Sequence, residues 1–191
     1  MQPKIIENFI SKETSQTLHN FLKTKSYEHL PDIPHPAGIM HTSIDEKYLK
    51  SISEEKDLFI IDLINLLINS ISNVFNLPKD KLKIKTQRYT WLSDGQSLSK
   101  HDDYLVSNYK VYSAVLYLTD DYEGGEILFY NEDKSFVSYK PSAGSLIYFE
   151  GNLDYPHEVK EVISGDRANL VLFYESSETK PSLEDLANIR A

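Results

Sequence analysis

From Leu82 onward the chain alternates. LKIKTQRYTWL, VYSAVLYLT, EILFY, SFVSYK, SLIYFE, HEVKEVI and RANLVLFYE interleave apolar with polar residues or run apolar for a few positions, and Asp-Gly, Gly-Gly, Pro-Ser-Ala-Gly and Ser-Gly turns separate them. A period of two broken by such turns predicts short antiparallel strands that close into a sandwich or barrel. The strand–helix alternation of a parallel sheet is missing. The front of the chain follows another period. Residues 57–75, DLFIIDLINLLINSISNVF, are mostly apolar, with Asp62, Asn65, Asn69 and Asn73 recurring every three or four positions, a stripe that predicts an amphipathic helix rather than a membrane span. It is expected to start near Ser51, with Glu54 completing a capping box, and to stop before Pro78. Residues 5–24 predict a short strand, a Ser11 cap and a helix burying Leu18, Phe21 and Leu22, with His19 on its exposed side. Residues 27–43, YEHLPDIPHPAGIMHTS, carry His29, His35 and His41 among prolines and are expected to form a loop. The tail ETKPSLEDLANIRA is expected to be a peripheral helix.

The elements thus predict a mainly β protein with N-terminal helices. At 191 residues one domain is expected: helical support over about 1–80, a β core over about 81–176 and a tail over 177–191. The net charge of −9, with no basic cluster, argues against nucleic acid, and no basic amphipathic helix suggests a membrane surface. With no cysteine in the chain, disulfides and thiolate chemistry are excluded, so any metal must be held by His, Asp or Glu. The first residues, MQPKIIENFISKE, do not read as a signal peptide, which makes a cytoplasmic location the expectation.

One stretch carries chemistry: SKHDDYLVSNYK, residues 99–110. On an extended strand, residues two apart share a face. His101 and Asp103 can therefore chelate one ion, while Asp102 points away. A third ligand must come from another strand, and His157, opening HEVKEV, is the best placed. Two histidines and a carboxylate suit non-heme Fe(II), with zinc the chemical rival. If Ser164, Gly165 and Asp166 close a hairpin, His157 shares a face with Arg167, Asn169, Val171 and Phe173. A guanidinium inside a barrel needs an anion, which a carboxylate-bearing cosubstrate would supply.

His101-x-Asp103, then His157, then Arg167 resembles the 2-oxoglutarate and Fe(II)-dependent dioxygenases, most closely their prolyl 4-hydroxylase-like branch. RYTWLSDGQSLSKHDD, YLTDDYEGGEILFY, KPSAGSLIYFEG and IIENFISKE are similar to that family's blocks, in the family's order, over roughly residues 4–176. The resemblance implies a double-stranded β-helix (jelly-roll) core flanked by helices. It makes His101, Asp103 and His157 the iron ligands and Arg167 the partner of the cosubstrate's far carboxylate. Tyr117 matches a tyrosine that binds the same group, and Asn169 stands where many relatives have the serine of an Arg-x-Ser pair. Leu98 replaces a tyrosine frequent in the family, leaving Tyr89 or Trp91 to complete that wall. Many prolyl hydroxylases have lysine in place of Arg167.

The implied cofactors are Fe(II), 2-oxoglutarate as cosubstrate and dioxygen, with ascorbate a candidate reductant. The implied reaction is hydroxylation of an unactivated C–H, with peptidyl proline the preferred substrate and a free amino acid or small molecule the alternative. Tyr104 and Tyr109, in the segment after the metal motif, are candidate substrate contacts. Two other classes share the residues: a non-catalytic metal-binding jelly-roll module, and a hydrolase or isomerase with another divalent ion. Succinate formation that requires Fe(II) separates the enzyme from both.

Overall fold

The computed structural model describes residues 3–29, 40–43, 57–103, 109–151 and 156–179. Strand β1 (Lys4–Ile6) leads into helix α1 (Lys12–His29). Ser11 caps that helix, its hydroxyl accepting from the Thr14 N–H at 3.0 Å. Strand β2 (Met40–Ser43) lies within the segment expected to be loop, and helix α2 spans Leu58–Asn73. Ten strands follow: β3 (Leu82–Leu92), β4 (Leu98–His101), β5 (Tyr109–Tyr117), β6 (Glu123–Gly124), β7 (Ile127–Tyr130), β8 (Phe136–Tyr139), β9 (Leu146–Gly151), β10 (His157–Val159), β11 (Val162–Ser164) and β12 (Arg167–Thr179). The alternating pattern placed β3 to the residue and β5 within two residues, but ended β12 at Glu175. The expected α2 cap at Ser51 and Glu54 and most of the expected tail helix lie outside the described residues; β12 runs on to Thr179, past the expected core boundary.

The strands form a six-stranded sheet in the order β1-β9-β5-β12-β3-β2 and a four-stranded sheet β4-β10-β7-β8, with β11 and β6 forming a small ladder of their own. Pairing in each is antiparallel. Alternation along the large sheet feeds two cores. Tyr89 and Trp91 of β3, Ala114 and Leu116 of β5 and Leu170, Leu172 and Tyr174 of β12 face the helices and bury Leu18, Leu22, Ile61, Ile64 and Ile71. The Tyr174 hydroxyl donates to the Ile68 carbonyl at 2.7 Å, pinning α2 to the sheet. The opposite face meets the small sheet through Val115, Tyr117, Ile147 and Phe149 against Ile127, Phe129 and Val159.

Two expectations need correction. The turn at Ser164–Asp166 does not close a hairpin. β10 pairs with β4 and β7, β11 pairs with β6, and β12 pairs with β3 and β5, so the chain leaves the small sheet after β10 and passes at Gly165 from the β11–β6 ladder into the large sheet. Sequence proximity suggested local pairing, but closing two facing sheets requires the crossover. His19 is not on the helix surface either: it is buried against the sheet, where the Tyr89 hydroxyl lies 3.0 Å from its Nδ1.

Candidate active site

His101 ends β4 and His157 opens β10, and the two residues are directly paired across that antiparallel ladder. Directly opposed residues project from the same face, and the imidazole centroids lie 4.4 Å apart. Asp103 follows β4 and completes the group: Asp103 Oδ1 is 4.0 Å from His101 Nε2 and Oδ2 is 3.9 Å from His157 Nε2. All three donor atoms fall within 4.8 Å of one another. Donors about 2.1 Å from an ion at right angles would sit roughly 3 Å apart, so the set fits one divalent ion after closing by about an ångström. The carbonyl of Ser99 can only accept, so His101 Nδ1 donates to it at 2.8 Å and leaves the Nε2 lone pair for a metal.

The large sheet holds the carboxylate in place. Ser113 of β5 donates to Asp103 Oδ2 at 2.5 Å. Gly151 lets the two backbones approach, since a Cβ there would fall 2.8 Å from that of Asp103. Asp102 also borders the cavity, half-buried, but it does not join the donor cluster.

These groups open onto a cavity of about 300 Å³ between the sheets. Arg167, Asn169, Val171 and Phe173 all line it, as the sequence pattern expected, though they reach it from the sheet facing His157 rather than from the same hairpin. Arg167 is 4% exposed. Its Nε donates to the Gly125 carbonyl at 2.9 Å and one Nη to the Tyr117 hydroxyl at 2.7 Å. The Asn169 amide satisfies its neighbours in one orientation, with its oxygen accepting from the other Nη at 2.7 Å and its nitrogen donating to the Ala168 carbonyl at 3.2 Å. A guanidinium has five N–H groups, so two remain for a ligand. No carboxylate of the described residues lies within 4 Å of it. Burial pushes the Tyr117 phenol up, with Arg167 pulling partly back, and keeps it neutral as a hydrogen-bond partner.

Tyr89 and Trp91 do not line the cavity. The period of two that turns them toward the helices turns Arg88, Thr90 and Leu92 inward instead. Tyr104 lies outside the described residues. Tyr109, 42% exposed, sits at the far end of β5 beside Lys81 and Glu175, away from the cavity. Of the loop histidines, His29 ends α1, His41 lies in β2 opposite Thr90, and His35 falls outside the described residues. Ser113 was missed, although its signal was present: it is a lone hydroxyl on the inward face shared by Val115 and Tyr117. Tyr122 was missed as well. Its buried hydroxyl has no hydrogen-bond partner among the described residues, and burial pushes its pKa up against the pull of Arg167.

Residues 84–175 match the model of the 2OG-Fe(II) oxygenase superfamily. The match covers just under half of the chain, and over it the chain is similar to that superfamily. The chain is 38% identical over 85 residues to prolyl 3-hydroxylase 2 of Homo sapiens, a stretch that is 44% of the chain's length. It spans only 12% of that relative's length. In fold the chain is similar to a Pseudomonas putida prolyl-4-hydroxylase, with a TM-score of 0.67 at 19% identity over 91% of this chain and 92% of the other. It is also similar to a Trichoplax adhaerens prolyl hydroxylase solved with a hypoxia inducible factor peptide fragment, with a TM-score of 0.69 at 18% identity over 91% and 83%. The two facing sheets are the expected double-stranded β-helix core, with the helices outside it. Among the described residues no helix is long and apolar enough to cross a membrane.

Proposed function

We propose that this chain is a 2-oxoglutarate and Fe(II)-dependent hydroxylase acting on a prolyl residue of a peptide. The observation that carries this reading is the pairing, in one cavity, of a His-Asp-His cluster with a buried arginine that faces no carboxylate of the described residues. Leaving such a charge unpaired costs several kcal/mol, so the site is built for an anion. An anion-binding group and a metal-binding group within one small cavity suit a cosubstrate that chelates at one end and is salt-bridged at the other.

His101 Nε2, Asp103 and His157 would hold the iron. When bound, iron with 2-oxoglutarate and dioxygen supplies oxidative decarboxylation to succinate and carbon dioxide, coupled to hydroxylation of a C–H bond. The protein supplies position. Arg167 offers its two remaining N–H groups to the far carboxylate in bidentate geometry. Tyr117, already accepting from Arg167, keeps its own proton for the same carboxylate. Asn169 and Gly125 stop the guanidinium from rotating, and Phe129 and Phe149, packed 5.3 and 5.0 Å from the His157 ring, keep water from that ligand. The prolyl preference rests on the likeness to prolyl hydroxylases in sequence and fold.

The test supplies the purified chain with Fe(II), 2-oxoglutarate and proline-containing peptides. Fe(II)-dependent succinate, with a peptide product heavier by one oxygen atom, is the expected outcome. Turnover with free amino acids alone would move the substrate to that class, and no coupled turnover with either would overturn the reading.

A further inference from the structure

A second arginine borders the cavity and has no part in the mechanism above. Arg88 lies on β3 four residues from Leu92, the residue paired with Arg167, and its side chain lines the same cavity. With a rise of about 3.4 Å per residue and strands about 4.8 Å apart, the two arginine Cα atoms stand ~14 Å from each other. The same spacings put Arg88 ~12 Å from Ser113, which holds Asp103, two strands across and one inward position along. An extended arginine side chain covers roughly 7 Å of that span. What is left is the length of a single amino-acid residue.

Arg88 has no acid to meet, and with Arg167 it is one of two such cations among the described residues that line the cavity. Lys12, Lys23, Lys85, Lys110 and Lys160 each have a carboxylate oxygen within 3.1 Å. Arg88, exposed in a chain of net charge −9, has none within 4 Å among the described residues. Its guanidinium is stationed 5.8 Å from the ring centroid of Phe173, itself a wall of the cavity. Thr90, two residues on, adds a hydroxyl to the same wall. Apart from the buried Arg167, no other cation among the described residues lines the cavity, so this corner matches one negative charge rather than the two of a phosphate.

We propose that Arg88 and Thr90 form a substrate subsite for a carboxylate placed within about one residue of the carbon that is hydroxylated, with Phe173 packing beneath it. The proposal deepens the hydroxylase reading and rests on it. Such a carboxylate has two sources: the α-carboxylate of a free amino acid, or an Asp or Glu side chain next to the target in a peptide.

The experiment measures binding by calorimetry, without oxygen, to protein loaded with Fe(II) and 2-oxoglutarate. The probes are acetyl-Ala-Pro-Ala-amide, acetyl-Glu-Pro-Ala-amide, acetyl-Ala-Pro-Glu-amide and free L-proline. At least one carboxylate probe is expected to bind on the order of ten- to a hundredfold tighter than the neutral peptide, as one charge-assisted hydrogen-bonded pair provides. Arg88→Ala should erase that preference and leave the neutral peptide and 2-oxoglutarate affinities as they were, while Arg88→Lys should keep part of it. Which probe wins identifies the source of the carboxylate. Equal binding of neutral and charged probes, a preference that survives in Arg88→Ala, or no binding of any probe would overturn the subsite. Charge-selective binding without succinate formation in air would sink the hydroxylase reading and leave the subsite standing; succinate formation without charge preference would do the reverse.

Discussion

The two ends of the cavity are built in different ways. The histidine end takes its donors from the termini of short strands in the small sheet, holds them near 4 Å apart and steadies the carboxylate with the Ser113 hydroxyl. The arginine end stands on β12, flanked by β3 and β5 in the large sheet, with three of its N–H groups already engaged. A metal ion provides enough binding energy to draw loose donors together. A small dicarboxylate does not, and must meet a charge that is already oriented. The pre-organisation therefore lies at the end whose ligand cannot create it.

The sharpest way to break this contrast is at Asp103. Asp103→Ala should reduce metal binding and turnover to background, while Asp102→Ala should change both only mildly, as metal titration and succinate assays would show. Equal losses would mean that both aspartates serve the ion. Arg167→Ala comes next: it should raise the 2-oxoglutarate requirement by about 10²- to 10³-fold with iron affinity little changed, and lysine should restore part of the loss as a point charge. An unchanged cosubstrate dependence would make Arg167 a structural residue. Ser113→Ala removes the hydroxyl behind Asp103 and should weaken iron binding by about 10- to 100-fold while sparing 2-oxoglutarate.

Gly125→Ala is aimed at the arginine end alone. Its φ is +66° and an added Cβ would lie 3.0 Å from Arg167 Cδ, so a loss of about 1–2 kcal/mol in thermal stability is expected, together with weaker cosubstrate binding. The smallest effect is a pH dependence behind the same end. Asp166, next to Arg167, points the other way, accepting from Lys23 at 2.5 Å and from Ser93 at 2.8 Å. Burial pushes the Asp166 carboxyl up, but those bonds outweigh it and hold it low. On the same helix as Lys23, burial pushes His19 below its ordinary 6.5, with Lys23 adding to the shift and Asp166 and Asp121 opposing it. The unfolded chain therefore takes up a proton near 6.5 before the folded one does. Stability from His19 is complete above that pH and falls as the pH drops below it. Thermal melts across this window should show the slope, and His19→Gln should flatten it.

Much of this was legible in the chain. His101, His157 and Arg167 could be read because each belongs to a strand whose period fixes its face; Asp103 lies two residues past the end of β4, and its place beside His101 follows from the short spacing of the pair rather than from a strand. The face shared by His157 and Arg167 was anticipated for the wrong reason: inward faces of two opposed sheets converge much as one face of a hairpin does, and alternation alone does not separate the two cases. Tyr89 and Trp91 show the converse. Alternation says that they oppose Arg88 and Thr90, but not which set faces the helices. That choice was settled by packing, because the broad apolar faces of α1 and α2 needed the aromatic side of β3. His19 was misplaced on similar grounds, its buried partner Tyr89 lying seventy positions along the chain.

The strict alternation of β3 and β12 also divides the molecule's scope for change. Leu170, Leu172 and Tyr174 answer to the helices, while Phe173, like Arg88 and Thr90 across the ladder, faces the cavity, and Val171 faces it from the edge of the inner core. Drift at the inward positions can alter what is accepted without loosening the outer core, and drift at the outward ones is constrained whatever the substrate. Descendants of one such chain can therefore diverge in diet while keeping the same architecture, and a library confined to Arg88, Thr90, Val171 and Phe173 would sample that divergence directly.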